Sequence, residues 1–562
     1  MKKILALLLA IVMIFGMTAC GGGTEVGGND VEFEVPAEKW DGSLPLVAEG
    51  EDHVITIAIN TSTNVLDYDT NAYTLWLEEQ TGVDIEFVQF AGKAGDVRTQ
   101  LSLMMAGGEE LPDIIMCGSA IDKITGEEYG DDGYFIDLKP YFDNYSYYFK
   151  EAMLNVFEGD DSVYNTVMKL AHDSAGEHIY AFPTVQEAPL DTPQSHTWIN
   201  QDWLDKLGLT APTNIDELYD VLVAFRDGDP NGNGKKDEIP ITGKITGFYN
   251  IEGYLINAFV YYNYNNHFNV TDGKLWVPYN TDEYRQAMIF MNKLVEEGLL
   301  STLTWTQSNA ELKALINAQN NEFTCGIVAG HADSSFQADH QSIFTYTPLK
   351  PLADATGKGG YGPRNYHSNS YRTFITADCD NPVVAFKLLD FMSCEESVMR
   401  QRWGEYGVDW EWAEPGQFGN MGGEATFVKL NPAFWGSQSN GSWHYIAGVG
   451  TEENWQYVMD TDLTKWDTMR ATKLLEGYDN YLEAGMPEEV YYYGIFTPEE
   501  HARLADFQSD LTEYIKTARA EFATGIKDPN DDAQWQTYLD GLNSLHLDEW
   551  IEIAQKSYDR MK

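Results

Sequence analysis

The sequence predicts an α/β fold built on a parallel sheet covered by helices, and three short apolar runs carry that prediction. Val54 to Ile59 places Ile55, Ile57 and Ile59 on one face, the period of a half-buried strand. Asp84 to Val88 and Asp113 to Met116 repeat the strand signal. Helical patterns fill both gaps: Asn71 to Gln80, stopped at Gly82, and a turn-spaced set of Val97, Leu101 and Met104 running out at Gly107 and Gly108. The order is βαβαβ, and parallel strands joined by crossover helices are buried on both faces.

Further along, Tyr284, Ala287, Met288, Met291, Leu294 and Val295 follow helical spacing, as do Val384, Leu388, Phe391 and Met392 after a start at Pro382. Thr213 with Asp216 three residues on forms a capping-box-like start for another helix. No internal repeat is present. With 562 residues, 43% hydrophobic and 13% aromatic, the chain is long enough for two or more lobes and too apolar for general disorder.

Thirty-six Lys and Arg stand against 88 Asp and Glu, a formal charge of −52 that opposes binding to nucleic acid and anionic lipid. The N-terminus gives an address. Lys2 and Lys3 precede an apolar run from Ile4 to Met17, and Met17-Thr18-Ala19-Cys20 resembles a bacterial lipobox, so residues 1–19 read as a signal peptide and Cys20 as the lipidated first residue. The run is shorter than the roughly 20 residues a membrane span needs. Residues 20–47, with Gly21-Gly22-Gly23 and Gly27-Gly28, read as a flexible tether. Cys117, Cys325, Cys379 and Cys394 remain, without a CxxC pair, and the first two sit in apolar strand-like runs as buried thiols do.

One loop has metal-ligand spacing. Asp229, Asn231 and Asn233 fall at positions 1, 3 and 5 of a calcium loop, Gly234 at the sharp-turn position 6, Lys235 at the carbonyl position 7 and Asp237 at 9. Pro240 takes position 12, where a bidentate Glu is usual, so Glu238 must supply that ligand. The competing readings are an ordinary polar turn and a phosphate loop; Gly234-Lys235-Lys236 lacks the Ser or Thr and the leading Gly of the latter. Calcium here would be a structural staple.

Taken together these pieces resemble the extracellular solute-binding lipoproteins of bacterial ABC transporters, in the family 1, sugar-binding branch, close to its long LplA-like and alginate-binding members. The resemblance rests on Thr81-Gly82-Val83, Leu111-Pro112-Asp113-Ile114, Ile179-Tyr180-Ala181-Phe182-Pro183, Trp198 to Pro240, Glu297-Gly298-Leu299, Asn381-Pro382, Thr497-Pro498-Glu499-Glu500 and the terminal Tyr558-Asp559-Arg560, in that order. It implies a two-lobe Venus-flytrap of the periplasmic-binding-protein type, with parallel-rich sheets and a helical C-terminal region. Residues 48–185 and 372–450 would form the first lobe, 186–371 and 451–562 the second. A carbohydrate, an oligosaccharide by preference, would be held between them by hinge closure and passed to permease subunits by a monomer lipid-anchored outside the cell membrane. Asp229, Asn231, Asn233, Lys235, Asp237 and Glu238 match the calcium ligands of the alginate binders.

Sugars present apolar C–H faces ringed by hydroxyls, so a site for them needs open aromatic rings beside polar side chains. Trp403, Trp410, Trp412, Trp435 and Trp443 lie in or beside a loop-rich segment ending near Tyr445, and Trp305 follows a helix end. Thr61, Ser62 and Asn64 follow the first strand, where open α/β sheets place ligands. The alternative is a secreted glycoside-acting enzyme, which needs two carboxylates ~5 to 9 Å apart. The chain contains no GxSxG, HExxH or P-loop motif, and 88 acids make chance carboxylate pairs common.

Overall fold

The computed structural model describes residues 39–562 apart from 49, 51–52, 157–160, 188–195, 264–265, 319–321, 332–334, 338–339, 364–366, 432–433, 435–437, 446 and 492–493. Cys20, residues 20–38 of its expected tether and Trp435 therefore lie outside the described residues, whereas residues 39–47 of that stretch are not a free tether: Val47 is buried in the first lobe's core and Trp40, Leu44 and Leu46 pack against it. The strands are β1 (Val54–Asn60), β2 (Asp84–Phe90), β3 (Ile114–Met116), β4 (Ala181–Glu187), β5 (His196–Asn200), β6 (Ile239–Thr242) and β7 (Asn269–Thr271). They continue as β8 (Lys274–Trp276), β9 (Cys325–Gly330), β10 (Tyr346–Pro348), β11 (His367–Ile375), β12 (Trp410–Trp412), β13 (Phe427–Lys429) and β14 (Val449–Gly450).

Two main sheets form, one in the order β14-β4-β11-β3-β1-β2 and one in the order β10-β5-β9-β6. In the first, β1 runs parallel to β2 and β3, as the βαβαβ order predicts. Asp113, at the entrance to β3, fixes that register: its carboxylate accepts the Thr56 N–H and hydroxyl, both at 2.7 Å. Alternation then sends side chains both ways. Ile57, Ile59, Ile114 and Met116 pack with Tyr73, Leu77 and Phe386 on one face. Ala58, Ile115, Cys117 and Phe374 pack with Val97 and Leu101 on the other. The helix expected after β1 is Ala72–Thr81, capped by the Asn71 side chain and ended by Gly82 in the left-handed conformation.

The second sheet is also covered on both faces. All six residues of β9 are buried. Its Gly326 carries no Cβ for a reason: one there would sit 2.4 Å from the Phe225 ring and 2.8 Å from the Pro240 carbonyl. Phe225 belongs to the helix Ile215–Asp227, which delivers the chain to the 229–238 loop. That helix is capped differently from the sequence expectation. Asn214, not Thr213, is the N-cap, accepting the Asp216 and Glu217 N–H groups; Thr213 instead donates through its N–H and hydroxyl to the Glu217 carboxylate. An Asx side chain one residue nearer the helix reaches those donors without displacing the entering backbone.

Helices Pro498–Ala523, Asp532–Ser544 and Leu547–Asp559 close the chain and share the second sheet's core with helix Asp282–Glu296. A buried ion pair ties them in: Arg519 Nε lies 2.7 Å from Glu252 Oε2. Trp305 Nε1–H donates to Glu252 at 2.8 Å, and Arg519 donates to the Tyr262 hydroxyl at 2.7 Å. Such a pair tolerates no loss of one partner, since the other would be left charged and dry. The four cysteines among the described residues are free, with Cys117, Cys325 and Cys379 buried.

Replacing Gly326 by Ala should lower unfolding free energy by about 1–3 kcal/mol through overpacking against Phe225. Urea unfolding followed by tryptophan fluorescence would read it, and an unchanged midpoint would show that the helix Ile215–Asp227 does not press on β9 as described.

Candidate functional site

The chain passes between the two main sheets three times: between β4 and β5, between β10 and β11, and after β14, where helix Trp466–Leu482 returns to pack on β10. Strand direction decides what gathers there. β4 and β3 both run antiparallel to β11, so β1, β3 and β4 all point their C-terminal ends toward the crossings. In the second sheet Gly330, the end of β9, pairs with His196, the first residue after a crossing, and β6 runs parallel to β9. The C-terminal ends of strands from both sheets thus meet along one edge. In open α/β sheets that edge is where unpaired backbone and short loops are free to touch a ligand.

The residues at those ends combine small polar groups with rings. After β1, Thr61 donates through its hydroxyl to the Phe90 carbonyl at 3.3 Å, and Ser62 Oγ accepts the Asn64 N–H at 3.2 Å. The Asn64 carbonyl accepts the Ser439 N–H at 2.9 Å, which ties this loop to the segment carrying Tyr445. After β3, Gly118 has a positive φ of 56° and Ser119 is exposed. The Tyr445 ring lies over Gly118, and burial raises its phenol above the ordinary tyrosine value, so it stays a neutral hydroxyl. At the end of β4, Gln186 Oε1 is buried without a partner. In the second lobe the loop after β6 presents Phe248, 43% exposed, and its ring lies 4.8 Å from that of His331, the buried residue after β9. His444 stacks flat on Phe434, with centroids 4.9 Å apart at 7°, and burial lowers its pKa and keeps it neutral.

The tryptophans expected to stack on a ligand are mostly used inside. Trp443 is 1% exposed, packs edge-on against Tyr73 and Phe87, and donates its indole N–H to Thr74 Oγ1 at 2.7 Å. Trp410 is fully buried and donates to the Gly404 carbonyl at 3.0 Å. Trp403 donates to the Asn454 carbonyl at 2.8 Å and is covered by Phe427. Trp305 is half-buried and held by Glu252. These are corrections to the expectation, with one reason: each indole satisfies its N–H within the fold and turns its ring into a core. Trp412 remains partly open, at 36% exposure, on the short β12–β13 ribbon. The strand-end rule that selected Thr61, Ser62 and Asn64 finds Ser119, Phe248 and His331 when applied to every strand of both sheets.

The 229–238 loop turns sharply at the glycine its spacing places there. Asp229 takes a positive φ of 48° and Gly234 one of 73°, and the Gly234 N–H donates to the Asp229 carboxylate at 3.1 Å. Asn231 and Asn233 donate their amides to Asp237 at 3.0 and 3.1 Å, bonds that hold its carboxyl below its ordinary value. Glu238 is the reverse case. Burial, then the neighbouring Asp237 and Asp229 charges, raise its pKa, and its Oε1 is buried with no partner. Among the described residues no three His, Cys, Asp or Glu side chains converge as a metal group, so amide and main-chain oxygens would have to complete any cation site here.

Residues 61–399 match the family of bacterial extracellular solute-binding proteins. The fructooligosaccharide ABC transporter substrate-binding protein FusA of Streptococcus pneumoniae serotype 4 is 27% identical over 511 residues, 86% of each chain. An extracellular solute-binding protein from Bifidobacterium longum subsp. infantis superposes with a TM-score of 0.72 at 20% identity, covering 92% of this chain and 99% of its own. The S. pneumoniae FusA structures, one with kestose and one of an EF-hand mutant with fructo-nystose, superpose at 0.66 and 22% identity, covering 90% of this chain and 99% of theirs.

Proposed function

This chain belongs to the bacterial extracellular solute-binding proteins, and from that premise we propose that it captures a neutral oligosaccharide between two lobes and delivers it to an ABC permease. The lobes are centred on the two main sheets and hinge at the three crossings. The observation that carries the ligand class is the open Phe248 ring beside His331, set on the same edge as Ser62, Ser119, Gln186 and the neutral Tyr445 hydroxyl. A ring for the C–H face and uncharged donors and acceptors for the hydroxyls suit a sugar. A formal charge of −52 disfavours a polyanionic one. FusA, related over most of its length, is named for fructooligosaccharides, which makes kestose a sensible first probe. A glycoside-acting enzyme has no such support, since the proteins this chain resembles are solute binders.

Closure then follows from binding: a ligand that touches both sets of strand ends stabilises the arrangement in which they approach. The lipidated Cys20 and the glycine tether would hold the molecule at the outer face of the membrane. An intact mass consistent with a diacylglyceryl-modified chain beginning at Cys20 is expected, and an unprocessed mass would remove the anchor.

Calorimetry of the mature chain against a glycan panel that includes kestose, with amino acids and peptides as controls, should give a sugar as the ligand. Phe248→Ala should weaken it about tenfold, equivalent to about 1.4 kcal/mol of lost stacking. Binding of a peptide and of no glycan would overturn the ligand class.

We also propose that calcium occupies the 229–238 loop, held by Asp229, Asn231, Asn233, the Lys235 carbonyl, Asp237 and Glu238. Two observations support the fit: the partnerless buried Glu238 oxygen and the inward-turned Asp229 and Asp237 carboxylates. The ion would neutralise those charges and staple helix Ile215–Asp227 to β6. At calcium levels tenfold to a hundredfold above Kd the gain is roughly 1 to 3 kcal/mol. A chelator should therefore lower the melting temperature, and Asp229→Ala should remove the chelator's effect; a melting temperature indifferent to both would exclude the site.

A further inference from the structure

The N-terminal stretch joins the first lobe at a fixed point. The Trp40 N–H donates to the Asn144 carbonyl at 3.1 Å, and the Tyr148 hydroxyl donates to the Gly42 carbonyl at 2.7 Å. The Trp40 ring stands edge-on to Tyr147 and Tyr148, with centroids 6.3 and 5.8 Å away, and the Lys387 ammonium lies over it at 5.1 Å. On the reading that Cys20 is acylated, only residues 20–38 separate this point from the bilayer, and a glycine-rich tether of that length spans ~25 Å on average. The surface around Trp40 is therefore held close to the membrane.

From there a connected path of rings runs along the lobe. Tyr148 packs on Phe391, whose ring stacks on Trp76 at 5.5 Å and 20°. Arg400 lies over both Trp76 and Tyr406, at 4.8 and 5.8 Å, and Tyr406 and Trp412 each stand edge-on to Trp410. Phe391 and Trp410 are buried supports, while Tyr147, Tyr406 and Trp412 are exposed, as are Leu75 beside Trp76 and Val408 beside Tyr406. Single open apolar residues are ordinary on a protein surface; a linked series of them marks a surface that meets something.

A bilayer interface fits this surface. Indole and phenol rings favour the headgroup level, which takes their apolar body and polar tip together, and Lys and Arg beside them reach lipid phosphates. Here Lys387 and Arg400 already stand over the rings. Glu396 pairs with Arg400 at 2.7 Å, and Glu405 and Glu411 adjoin Tyr406 and Trp412, so the surface suits zwitterionic headgroups and is not a basic patch. The formal charge of −52 keeps an untethered molecule off anionic lipid, and a tether supplies the local concentration that weak ring contacts need. We propose that the surface from Trp40 through Trp76 to Trp412 seats on the phospholipid bilayer and fixes the orientation in which the lobes meet a permease in the same membrane. This deepens the reading of an anchored binder and rests on it for proximity alone.

A substitute anchor separates the surface from the acylation. The mature chain from Gly21 with an N-terminal polyhistidine tag, bound to phosphatidylcholine vesicles through a nickel-chelating lipid, brings the body to the bilayer whether or not Cys20 is acylated, and intact mass tests acylation separately. A bimane label at Val408→Cys, in a Cys394→Ser background, should be quenched by spin-labelled lipid, and the same label at Ile526→Cys, exposed beyond helix Pro498–Ala523, should not. Adding Tyr406→Ser and Trp412→Ser should abolish the quenching at 408, with the melting temperature as the control for the fold. Equal quenching at 408 and 526, none at 408, or quenching at 408 that survives loss of both rings in a folded variant would overturn the membrane surface and leave the anchor and the sugar site standing.

Discussion

The constraint on which everything else depends is that both main sheets are covered on both faces. Once Ile57 and Met116 pack under one layer of helices and Ala58 and Cys117 under another, the inner strands of the sheet offer a ligand only their ends. The same holds for β9, all six of whose residues are buried. Function is therefore pushed to the strand ends, and parallel pairing puts those ends on one side. Three crossings set the two edges together, which turns two covered sheets into one binder with a hinge.

The legible part of this was the part encoded by short-range period. Ile55, Ile57 and Ile59, then the two βα steps that follow, specify parallel β1, β2 and β3 before any tertiary contact is known, because alternation and helical spacing are local. The turn in the 229–238 loop is equally local: the spacing puts a glycine at the sharp-turn position, and Gly234 there takes a positive φ of 73°. The aromatics were not legible in this way. Whether Trp443 faces a ligand or a core depends on Thr74, 369 residues away, which accepts its N–H. Trp305 depends likewise on Glu252, and Glu252 on Arg519 of a helix more than two hundred residues further on. A ring's destination is set by its long-range partner, and one sequence does not carry that pairing. Phe248 carries no such local mark, because a single Phe beside Gly247 belongs to no periodic pattern.

The C-terminal helices have a structural consequence for a hinge. They share the core of the second sheet through Leu511, Ile515 and Phe522 and are pinned by the Arg519–Glu252 pair, so they pack as one unit with that sheet. Their starting segment also walls a cavity opposite helix Lys123–Asp131, and Lys169 reaches across to the Met561 carbonyl. Rotation that brings the strand ends together must alter that rear contact as well.

The most direct test of closure is an interlobe distance. Spin labels placed at exposed Leu103 in the first lobe and exposed Leu303 in the second would report it by pulsed electron resonance, with and without the sugar identified by calorimetry. Hinge closure predicts a shift of the distance distribution to a single, narrower population when the sugar is bound, and a weaker shift in Phe248→Ala at the same sugar concentration. An identical distribution with the sugar fully bound would contradict binding between moving lobes.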